Sequence, residues 1–539
     1  MFVDQTRIEL ERQRGIWPDR VITDYFDGWL AEKPDATAII DHRADDGSTT
    51  IVGYGELNGA VAAMARNLTG LGVGKGDVVS MQLPNWWQFV AVHLACVRIG
   101  AITNPLMPIF RHRELSFMLR LAESKVFIVP ETYHDFDYAA LGLQLGQEVP
   151  SLARVFVVGA SGAESFEDVL LAEGGEGFNA GSELRPNDLM QLLFTSGTTG
   201  EPKGVLHVSN ALIGTADALA QRMEMGPDDV IFMPSPIAHQ SGFMYGMMQS
   251  LMLGVPLLLM DVWEPASGAR LMQEYRASFM FAATPFLSDL ANLEEIAAYD
   301  LDAFRLFVTA GAPIPPEVVA AAHDRLGAIV VSAWGMTENG CVTTTGLSGH
   351  KVLETDGKAL PGEEVRVVDD EGVVVADGTS GNLQFRGAAN FVGYLKRPEF
   401  YRFDDDGWFD TGDLARMDDE GYIRIEGRKK DIIIRGGENI PVVEIENALY
   451  RMAEVRDAAV VAMPDARLAE RACAFATLKP GATLTLERIK EFLEGQRVAK
   501  QYWPERLEVI DKMPRTPSGK IQKFVLRDQA QNFTVESDQ

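Results

Sequence analysis

The chain has 539 residues, of which 46% are hydrophobic and 23% charged, an ordinary balance for a globular protein of roughly two to four domains. Its formal net charge of −28 and its pI near 4.7 argue against nucleic-acid or anionic-membrane partners, because like charges repel. The three cysteines form no CxxC or Cys/His cluster, which argues against a zinc site and a disulfide framework.

The first part of the chain alternates short apolar runs with helical periodicity. Strands are predicted over residues 78–81, from residue 101, and over 125–129, and helices over 87–98 and 114–122. Such alternation is typical of βαβ units, in which helices cover both faces of a parallel sheet. The N-terminal residues show no secretory signal, so we predict a cytoplasmic location.

Residues 195–204, with the sequence TSGTTGEPKG, are the most informative segment. Hydroxyls and unobstructed backbone N–H groups can surround a polyphosphate, and Lys203 adds a mobile positive charge. Apolar runs on both sides predict strands. The segment is therefore not a Walker A motif, in which the lysine leads into a helix. Taken alone, it would also suit a flexible surface hairpin.

The central part of the chain continues the alternation. Residues 243–260 form the most apolar stretch, but polar and helix-breaking residues interrupt it, so we predict a buried helix followed by a strand and no stable membrane insertion. Strands over 279–282, 306–308 and 328–331 then alternate with helices over 287–297 and 316–326. Ligand-binding loops belong at the carboxyl ends of such strands, where residues 310–313 and 334 lie.

The pattern of predicted secondary structure changes twice after this part of the chain. From about residue 360 to 427, short strand-like pieces, including 365–368 and 373–375, are separated by Asp/Gly turns, which predicts a β-rich subdomain. After residue 430, helices over 443–452 and 486–493 and strands over 458–461 and 473–478 predict a small α+β domain with its own core. We therefore place an N-terminal domain at 1–429 and a C-terminal domain at 430–539.

Four further motifs follow the glycine-rich segment in order: WGMTE at 334–338, WFDTGD at 408–413, GRKKD at 427–431 and PRTPSGK at 514–520. Together the five segments resemble the adenylate-forming superfamily, which includes acyl-CoA synthetases, aryl-CoA ligases, luciferases and adenylation domains. The resemblance covers nearly the whole chain. It implies an α/β fold: a large N-terminal domain of parallel sheets with a β-rich subdomain, and a small, mobile C-terminal domain.

The resemblance implies an ATP site in the N-terminal domain. Glu338 would hold Mg2+, a hard cation that prefers carboxylate oxygen, and Thr337 would contact the α-phosphate. Most family members carry Tyr where this chain has Trp334. The phosphate-binding set would be Thr195, Ser196, Gly197, Thr198, Thr199 and Lys203. The adenine and ribose set would be Gly311, Ala312, Pro313, Trp334, Asp413 and Arg428.

The resemblance also implies two catalytic states of the C-terminal domain. Lys520 matches the family lysine that is essential for adenylation, and Lys430 matches the hinge about which this domain turns. The turned state would present Gly436 and Gly437 to the pantetheine of coenzyme A. One pocket could then serve two half-reactions in succession. ATP, Mg2+ and coenzyme A are accordingly the expected cofactors.

The acyl pocket is expected around residues 236–245. By resemblance this segment supplies a wall and a gate, so His239 joins Lys520, Thr337 and Glu338 in the candidate catalytic set, as a gate rather than a base. Gln240 stands where amino-acid adenylation domains carry an aspartate for the substrate ammonium, which disfavours amino acids. The pocket set is His239, Gln240, Ala310, Gly311 and Gly340.

The sequences of these motifs, together with LPNWW at 83–87, most resemble those of short- to medium-chain fatty acyl-CoA and cyclohexanecarboxylate-CoA ligases. We predict an ATP-dependent carboxylic acid:CoA ligase that releases AMP and pyrophosphate. An aryl-CoA ligase and a stand-alone adenylation enzyme that loads a carrier protein remain as alternatives. Luciferase chemistry would leave the same motifs intact. A non-catalytic binding protein is disfavoured because Glu338 and Lys520 are both present. The oligomeric state, including a homodimer, is left open.

Overall fold

A computed structural model describes residues 3, 5–173, 183–195, 202–310, 314, 316–347, 349, 351–429, 432–435, 438–440, 442–465, 467–515 and 521–533. The helices are α1 (Gln5–Gln13), α2 (Ile22–Glu32), α3 (Tyr54–Gly70), α4 (Trp87–Ile99), α5 (His112–Ala122), α6 (Tyr138–Glu148), α7 (Ser209–Arg222), α8 (Gln240–Gly242), α9 (Gln249–Leu253), α10 (Pro265–Tyr275), α11 (Thr284–Ala291), α12 (Pro316–Leu326), α13 (Val442–Tyr450), α14 (Leu486–Gly495) and α15 (Lys523–Ala530).

The strands of the N-terminal part are β1 (Thr37–His42), β2 (Thr49–Gly53), β3 (Val78–Met81), β4 (Ile102–Pro105), β5 (Val126–Pro130), β6 (Thr132–Tyr133), β7 (Phe136–Asp137), β8 (Arg154–Val158), β9 (Leu189–Phe194), β10 (Gly204–Val208), β11 (Ile231–Met233), β12 (Leu257–Met260), β13 (Phe279–Phe281), β14 (Leu306–Ala310), β15 (Ile329–Met336), β16 (Gly340–Thr344) and β17 (Lys358–Ala359). Those that follow are β18 (Glu363–Val368), β19 (Gly381–Gly387), β20 (Gly393–Tyr394), β21 (Phe409–Met417), β22 (Ile423–Arg428), β23 (Ile433–Arg435), β24 (Glu438–Ile440), β25 (Val455–Asp465), β26 (Ala469–Leu478) and β27 (Arg506–Val509).

Two large sheets build the main domain. One has the strand order β17-β16-β15-β14-β13-β11-β12-β1-β2, with its central strands parallel, and the other has the order β20-β10-β9-β4-β3-β5-β8. Apolar side chains of both sheets join those of α3, α4 and α7 in one core, so a helix layer lies between the sheets. Helix α4 is buried along almost its whole length, which explains its nearly continuous apolar sequence.

The outer faces of the two sheets are covered as well. Helices α5 and α6 pack on the second sheet, and α10, α11 and α12 pack on the first. The apolar stretch 243–260 is a buried helical segment, with a π-helical turn at Phe243–Met248, followed by β12. Among the described residues, no helix reaches the length and apolarity of a membrane-crossing segment. The three cysteines are buried free thiols.

Two smaller units follow. Strands β18, β19, β21 and β22 form a four-stranded antiparallel sheet, the predicted β-rich subdomain. Strands β23 to β27 form the C-terminal sheet. Helices α13 and α14 pack on one of its faces and α15 packs on the other. The predicted fold class is therefore confirmed. The domain boundary at residue 430 stays a prediction, because Lys430 lies outside the described residues.

Two sequence predictions of local structure are wrong. Residues 373–375 form no strand beyond one bridge between Val368 and Val374, because Val373 and Val374 are exposed after a tight turn. The helix predicted over 287–297 begins earlier, at Thr284, with a proline in its first turn, and ends at Ala291. A short 3-10 helix, Glu294–Ala298, then carries the remaining apolar residues that extended the predicted pattern.

Candidate nucleotide and acid site

The glycine-rich segment projects from a pair of antiparallel strands. Gly204 on β10 pairs with Phe194 on β9, and the Thr195 N–H donates to the Lys203 carbonyl oxygen at 2.9 Å. An added Cβ at Gly204 would lie 2.8 Å from a Leu192 methyl group, so the strand pair packs tightly where the loop begins. Ser196, Gly197, Thr198 and Thr199 lie outside the described residues. Thr195 and Lys203 therefore mark the two ends of the predicted phosphate loop.

The ammonium group of Lys203 lies over two aromatic rings. Its Nζ is 5.1 Å from the ring centroid of Tyr394 and 4.3 Å from that of Phe400. Such cation–π contacts contribute about 0.5–1 kcal/mol at exposed sites. The contact holds the ammonium beside the mouth of the loop on a long, flexible stem. A compact charge on such a stem can reach a nearby anion.

Thr337 and Glu338 occupy the tip of the hairpin between β15 and β16. The carboxyl of Glu338 is 6% exposed, and its Oε1 accepts a hydrogen bond from the Tyr394 hydroxyl at 2.7 Å. Burial raises the pKa of Glu338, while the Tyr394 hydrogen bond and the charges of Arg428 and Lys203 oppose this shift. A cation placed beside this carboxylate would therefore be stabilised.

Three hydrogen bonds attach this hairpin tip to the second sheet. Besides the Tyr394 contact, the buried His207 on β10 donates from Nε2 to the Thr337 carbonyl oxygen at 2.8 Å. The Phe391 N–H donates to the Glu338 carbonyl oxygen at 3.0 Å. Burial lowers the pKa of His207 to about 4, so the ring is neutral at pH 7. The site is thus assembled across the seam between the two large sheets.

The residues present fit a magnesium ion that is bound together with a nucleotide. Within the described ranges, no group of three or more His, Cys, Asp or Glu side chains is arranged as a metal cage. Mg2+ is usually held by one or two carboxylates, with substrate phosphates and water completing its octahedron. The single buried carboxylate of Glu338, near the mouth of the phosphate loop, matches that pattern.

A second cluster joins Trp334, Asp413 and Arg428. The Trp334 Nε1–H donates to Asp413 Oδ2 at 2.9 Å, and Arg428 Nε lies 3.0 Å from Asp413 Oδ1. Asp413 and Arg428 are paired opposite each other on β21 and β22. The indole is 7% exposed and packs in the core of the β-rich subdomain, together with Val205 and Phe385. Trp334 therefore links a buried apolar core to a carboxylate that it orients.

The end of β14 places Ala310 beside this cluster. Ala310 pairs with Ala333, the residue before Trp334, and both strands run parallel, so their carboxyl ends share one edge of the sheet. The adjoining Gly311, Ala312 and Pro313 lie outside the described residues. Their predicted contact with adenine therefore rests on the position of Ala310.

Two of the predicted acyl-pocket residues, His239 and Gln240, lie at the start of the helical segment 240–253. His239 caps that segment: its Nδ1 lies 2.9 Å from Ser241 Oγ and accepts from the Ser241 N–H at 3.4 Å. Gln240 is buried, and neither atom of its amide has a hydrogen-bond partner among the described residues. A buried amide left without partners is costly, which marks this side chain as one that a ligand can satisfy.

Gly340 brings the hairpin against the same helical segment. It has a φ of +62°, and an added Cβ would lie 2.9 Å from the Tyr245 hydroxyl oxygen and 3.1 Å from Met244 Sδ. Tyr245 in turn accepts the Cys341 N–H at 2.5 Å and stacks on Phe281, with the ring centroids 4.6 Å apart. Glycine is thus required at position 340 both by conformation and by space.

The remaining predicted residues, Lys430, Gly436, Gly437 and Lys520, lie outside the described residues. The neighbouring part of the C-terminal domain carries charged pairs, among them Arg435 with Glu505 at 2.9 Å. Arg515 is paired with Asp457. Asp457 lies on β25, so Arg515, the second residue of the PRTPSGK motif, is held on the C-terminal sheet.

Three side chains of the site were not predicted: Tyr394, Phe400 and His207. Tyr394 and His207 each stand in an apolar run and therefore look like core residues, whereas Phe400 follows a charged segment and looks like a surface residue. The signal that could have singled out Tyr394 is the sequence FVGYL at 391–395, in which a glycine precedes a tyrosine in an otherwise apolar segment. Its partner, Glu338, is 56 positions away in the chain.

Two family models together match most of the chain. The AMP-binding enzyme model matches residues 26–395, and the AMP-binding enzyme C-terminal domain model matches residues 444–520. The medium-chain fatty-acid–CoA ligase of Escherichia coli strain K12 is 37% identical over 523 residues, covering 96% of this chain and 91% of the relative. A salicylyl-CoA synthase / salicylate adenylyltransferase of a Streptomyces species is 32% identical, covering 96% and 95%.

Among solved structures, ATP-bound MatB from Rhodopseudomonas palustris superposes with a TM-score of 0.84 at 29% identity, covering 95% of this chain and 99% of that one. The chain therefore belongs to the AMP-binding enzyme family, the adenylate-forming enzymes. Within that family it is an acid–thiol ligase of the AMP-forming, acyl-CoA synthetase type, which joins an acid to coenzyme A through an acyl-adenylate and uses ATP.

Proposed function

We propose that this ligase activates a neutral, apolar acid of modest size, either a medium-chain aliphatic or an alicyclic monocarboxylate. The observation that carries the proposal is that residues 236–245, Ala310 and Gly340, which we expect to line the acyl pocket, include no Asp, Glu, Lys or Arg. Gln240 supplies no negative charge for a substrate ammonium group, and an unpaired buried charge is strongly unfavourable. The 37% identity to the E. coli medium-chain ligase supports the same substrate class.

In the first half-reaction, the substrate carboxylate attacks the α-phosphorus of ATP and pyrophosphate leaves. No protein nucleophile is needed, so the side chains have to orient the reactants and neutralise charge. Lys203 and residues 195–199 would hold the outer phosphates, and Thr337 would contact the α-phosphate. Glu338 would hold Mg2+, which shields the phosphate charge when bound. Asp413 and Arg428 would hold the ribose.

In the second half-reaction, the coenzyme A sulfur attacks the adenylate carbonyl, and AMP leaves. We assign Lys520 to the first half-reaction, where its point charge meets the carboxylate and the α-phosphate together. We assign Lys430 to the hinge, and Gly436 and Gly437 to the passage of pantetheine.

A second candidate substrate is a hydroxylated aryl acid. Both amide atoms of Gln240 are buried and have no partner within the described part of the chain, and an acid with a hydroxyl group could satisfy them. The Streptomyces relative named for salicylate supports this alternative. The amide and the apolar wall thus favour different acids, and the choice between them is an experimental one.

The test is a panel of acids supplied with ATP, Mg2+ and coenzyme A, with AMP release and thioester mass as readouts. For linear acids we expect kcat/KM to rise with each methylene, worth about 0.8 kcal/mol when buried, and to fall when the pocket is full. A tenfold preference for benzoate or salicylate over both hexanoate and cyclohexanecarboxylate would contradict the aliphatic proposal and leave the ligase class intact.

The variant Gln240→Leu separates the two candidates further. It replaces the amide with an apolar side chain of similar size. An aliphatic substrate should then be used as well as before or better, because no polar atom remains unsatisfied. A salicylate-type substrate should lose a hydrogen bond, and its kcat/KM should fall.

A further inference from the structure

Tyr394 occupies a defined position at the edge of the second sheet. It lies on the short strand β20 and pairs with Val205 on β10, two residues beyond Lys203. The Leu395 N–H donates to the Gly204 carbonyl oxygen at 2.8 Å, and the Val392 N–H donates to that of Leu206 at 2.9 Å. These bonds on both sides of the tyrosine fix its register against the strand that follows the phosphate loop.

The two ends of the Tyr394 side chain contact two oppositely charged groups. The hydroxyl donates to Glu338 Oε1 at 2.7 Å, and the face of the ring lies 5.1 Å from Lys203 Nζ. The ring itself is held by Phe391, with the centroids 4.7 Å apart. Tyr394 is 6% exposed, so neither contact competes freely with water.

A donor at Oε1 has a specific consequence for a carboxylate that binds a cation. It fixes the side-chain rotamer and uses one lone pair, so the carboxylate is oriented before the cation arrives. Groups that orient a ligating side chain in this way commonly change metal affinity by about ten- to a hundredfold when they are removed. Phenylalanine would keep the ring and lose only this bond.

We propose that Tyr394 is a positioning residue for the nucleotide site, which orients the Glu338 carboxylate toward the cation bound with ATP. The proposal rests on the proposed function, because it takes Glu338 as the ligand of that cation. Tyr394 acts through Glu338 and is not itself expected to touch the substrate. Its hydroxyl contacts the Glu338 carboxylate and its ring contacts the Lys203 ammonium, so both charged groups lie against one side chain.

The experiment measures the binding of α,β-methylene-ATP by calorimetry with Mg2+ and with EDTA. The methylene bridge keeps the outer phosphates from leaving, so this analogue cannot adenylate an acid. The variants are Tyr394→Phe, Glu338→Gln and, as a matched control, Tyr138→Phe. Tyr138 is also buried, and its hydroxyl donates at 2.7 Å to the Pro108 carbonyl oxygen, away from the site. Thermal unfolding of each variant checks that it is folded.

For Tyr394→Phe we expect the Mg2+-dependent gain in affinity to fall about tenfold or more, with metal-free affinity within about twofold of the parent. Tyr138→Phe should keep the full gain. If Glu338→Gln loses the gain and Tyr394→Phe keeps it, the positioning proposal is wrong and the proposed function stands. If Tyr394→Phe loses metal-free affinity equally, the role is structural and the proposal is also wrong. If Glu338→Gln keeps the Mg2+-dependent gain in affinity, Glu338 is not the ligand of the cation. Both the assignment of Glu338 in the proposed function and the proposed role of Tyr394 are then wrong.

Discussion

The indole Nε1–H of Trp334 donates to Asp413 Oδ2 across 2.9 Å, from a ring that is otherwise packed in an apolar core. Arg428 approaches the other carboxylate oxygen, at 3.0 Å. Asp413 is therefore oriented from both sides before any ligand binds. A carboxylate held in this way can accept from two neighbouring hydroxyls, which is the arrangement that a ribose presents.

The variant Asp413→Ala should raise the apparent KM for ATP, because charge-assisted hydrogen bonds of about 1.5–3 kcal/mol are lost. Trp334→Phe should raise the same KM by a smaller factor, since the carboxylate remains and loses only one of its orienting partners. Steady-state kinetics with saturating acid and coenzyme A measure both values. An unchanged KM for ATP in Asp413→Ala would contradict the assignment of Asp413 to the ribose.

Lys520→Ala should abolish adenylate formation and leave thioester formation from a supplied acyl-adenylate largely intact. The reason is that the lysine charge is assigned only to the transition state of the first half-reaction. Pyrophosphate release and thioester yield measure the two steps separately. Equal losses in both steps would argue against two separate catalytic faces.

Lys430→Pro should produce the opposite pattern. Proline fixes φ near −65° and would oppose a rotation about this residue, so adenylation should persist while transfer to coenzyme A fails. The same pair of assays applies, and Lys429→Pro provides a neighbouring control for a local proline effect. Normal overall turnover in Lys430→Pro would show that the hinge is elsewhere.

The buried histidines His93 and His207 should contribute a loss of main-domain stability in acid. Burial lowers the pKa of His93 to about 3 and that of His207 to about 4, so both rings are neutral in the native chain. Between about pH 4 and 6.5 the unfolded chain binds protons that these rings do not, and stability falls as the pH falls. Each histidine contributes about 1.4 kcal/mol per pH unit in this range.

The variant His93→Gln isolates one of these two contributions. His93 Nδ1 lies 2.9 Å from Thr103 Oγ1 and the ring is fully buried, so the substitution has a cost of its own at every pH. The informative quantity is the change in denaturant midpoint between pH 7 and pH 5, which should be smaller in the variant. An equal change in both proteins would mean that His93 does not carry this dependence.

Elements with strong periodicity were predictable from sequence. Helix α12 has the predicted bounds, and β3, β5 and β14 lie within a residue or two of theirs, because each is an apolar run bounded by turn residues. The helix predicted over 287–297 was misplaced because apolar spacing continues through Asn292 into a 3-10 turn. The spacing of apolar residues alone does not show where one helix ends and the next begins.

Prediction of the site was less complete. Trp334, Glu338 and Asp413 were found through their motifs, and the structure brings Trp334 and Asp413 together. Their mutual contacts were not predictable, because Trp334 and Asp413 are 79 positions apart and His207 and Thr337 are 130 apart. Pairings of this kind depend on how two sheets pack, which no local pattern encodes.

The seam between the sheets has a consequence for synthesis of the protein. The site combines β10, the β15–β16 hairpin, β20 and the β21–β22 pair, so its last described contributor, Arg428, lies far along the chain from Lys203. Contacts with such large separation in sequence form late, after loop closure has been achieved. A ribosome-bound chain would therefore acquire nucleotide affinity only after residue 428 has left the exit tunnel, and earlier segments would fold without ligand to stabilise them.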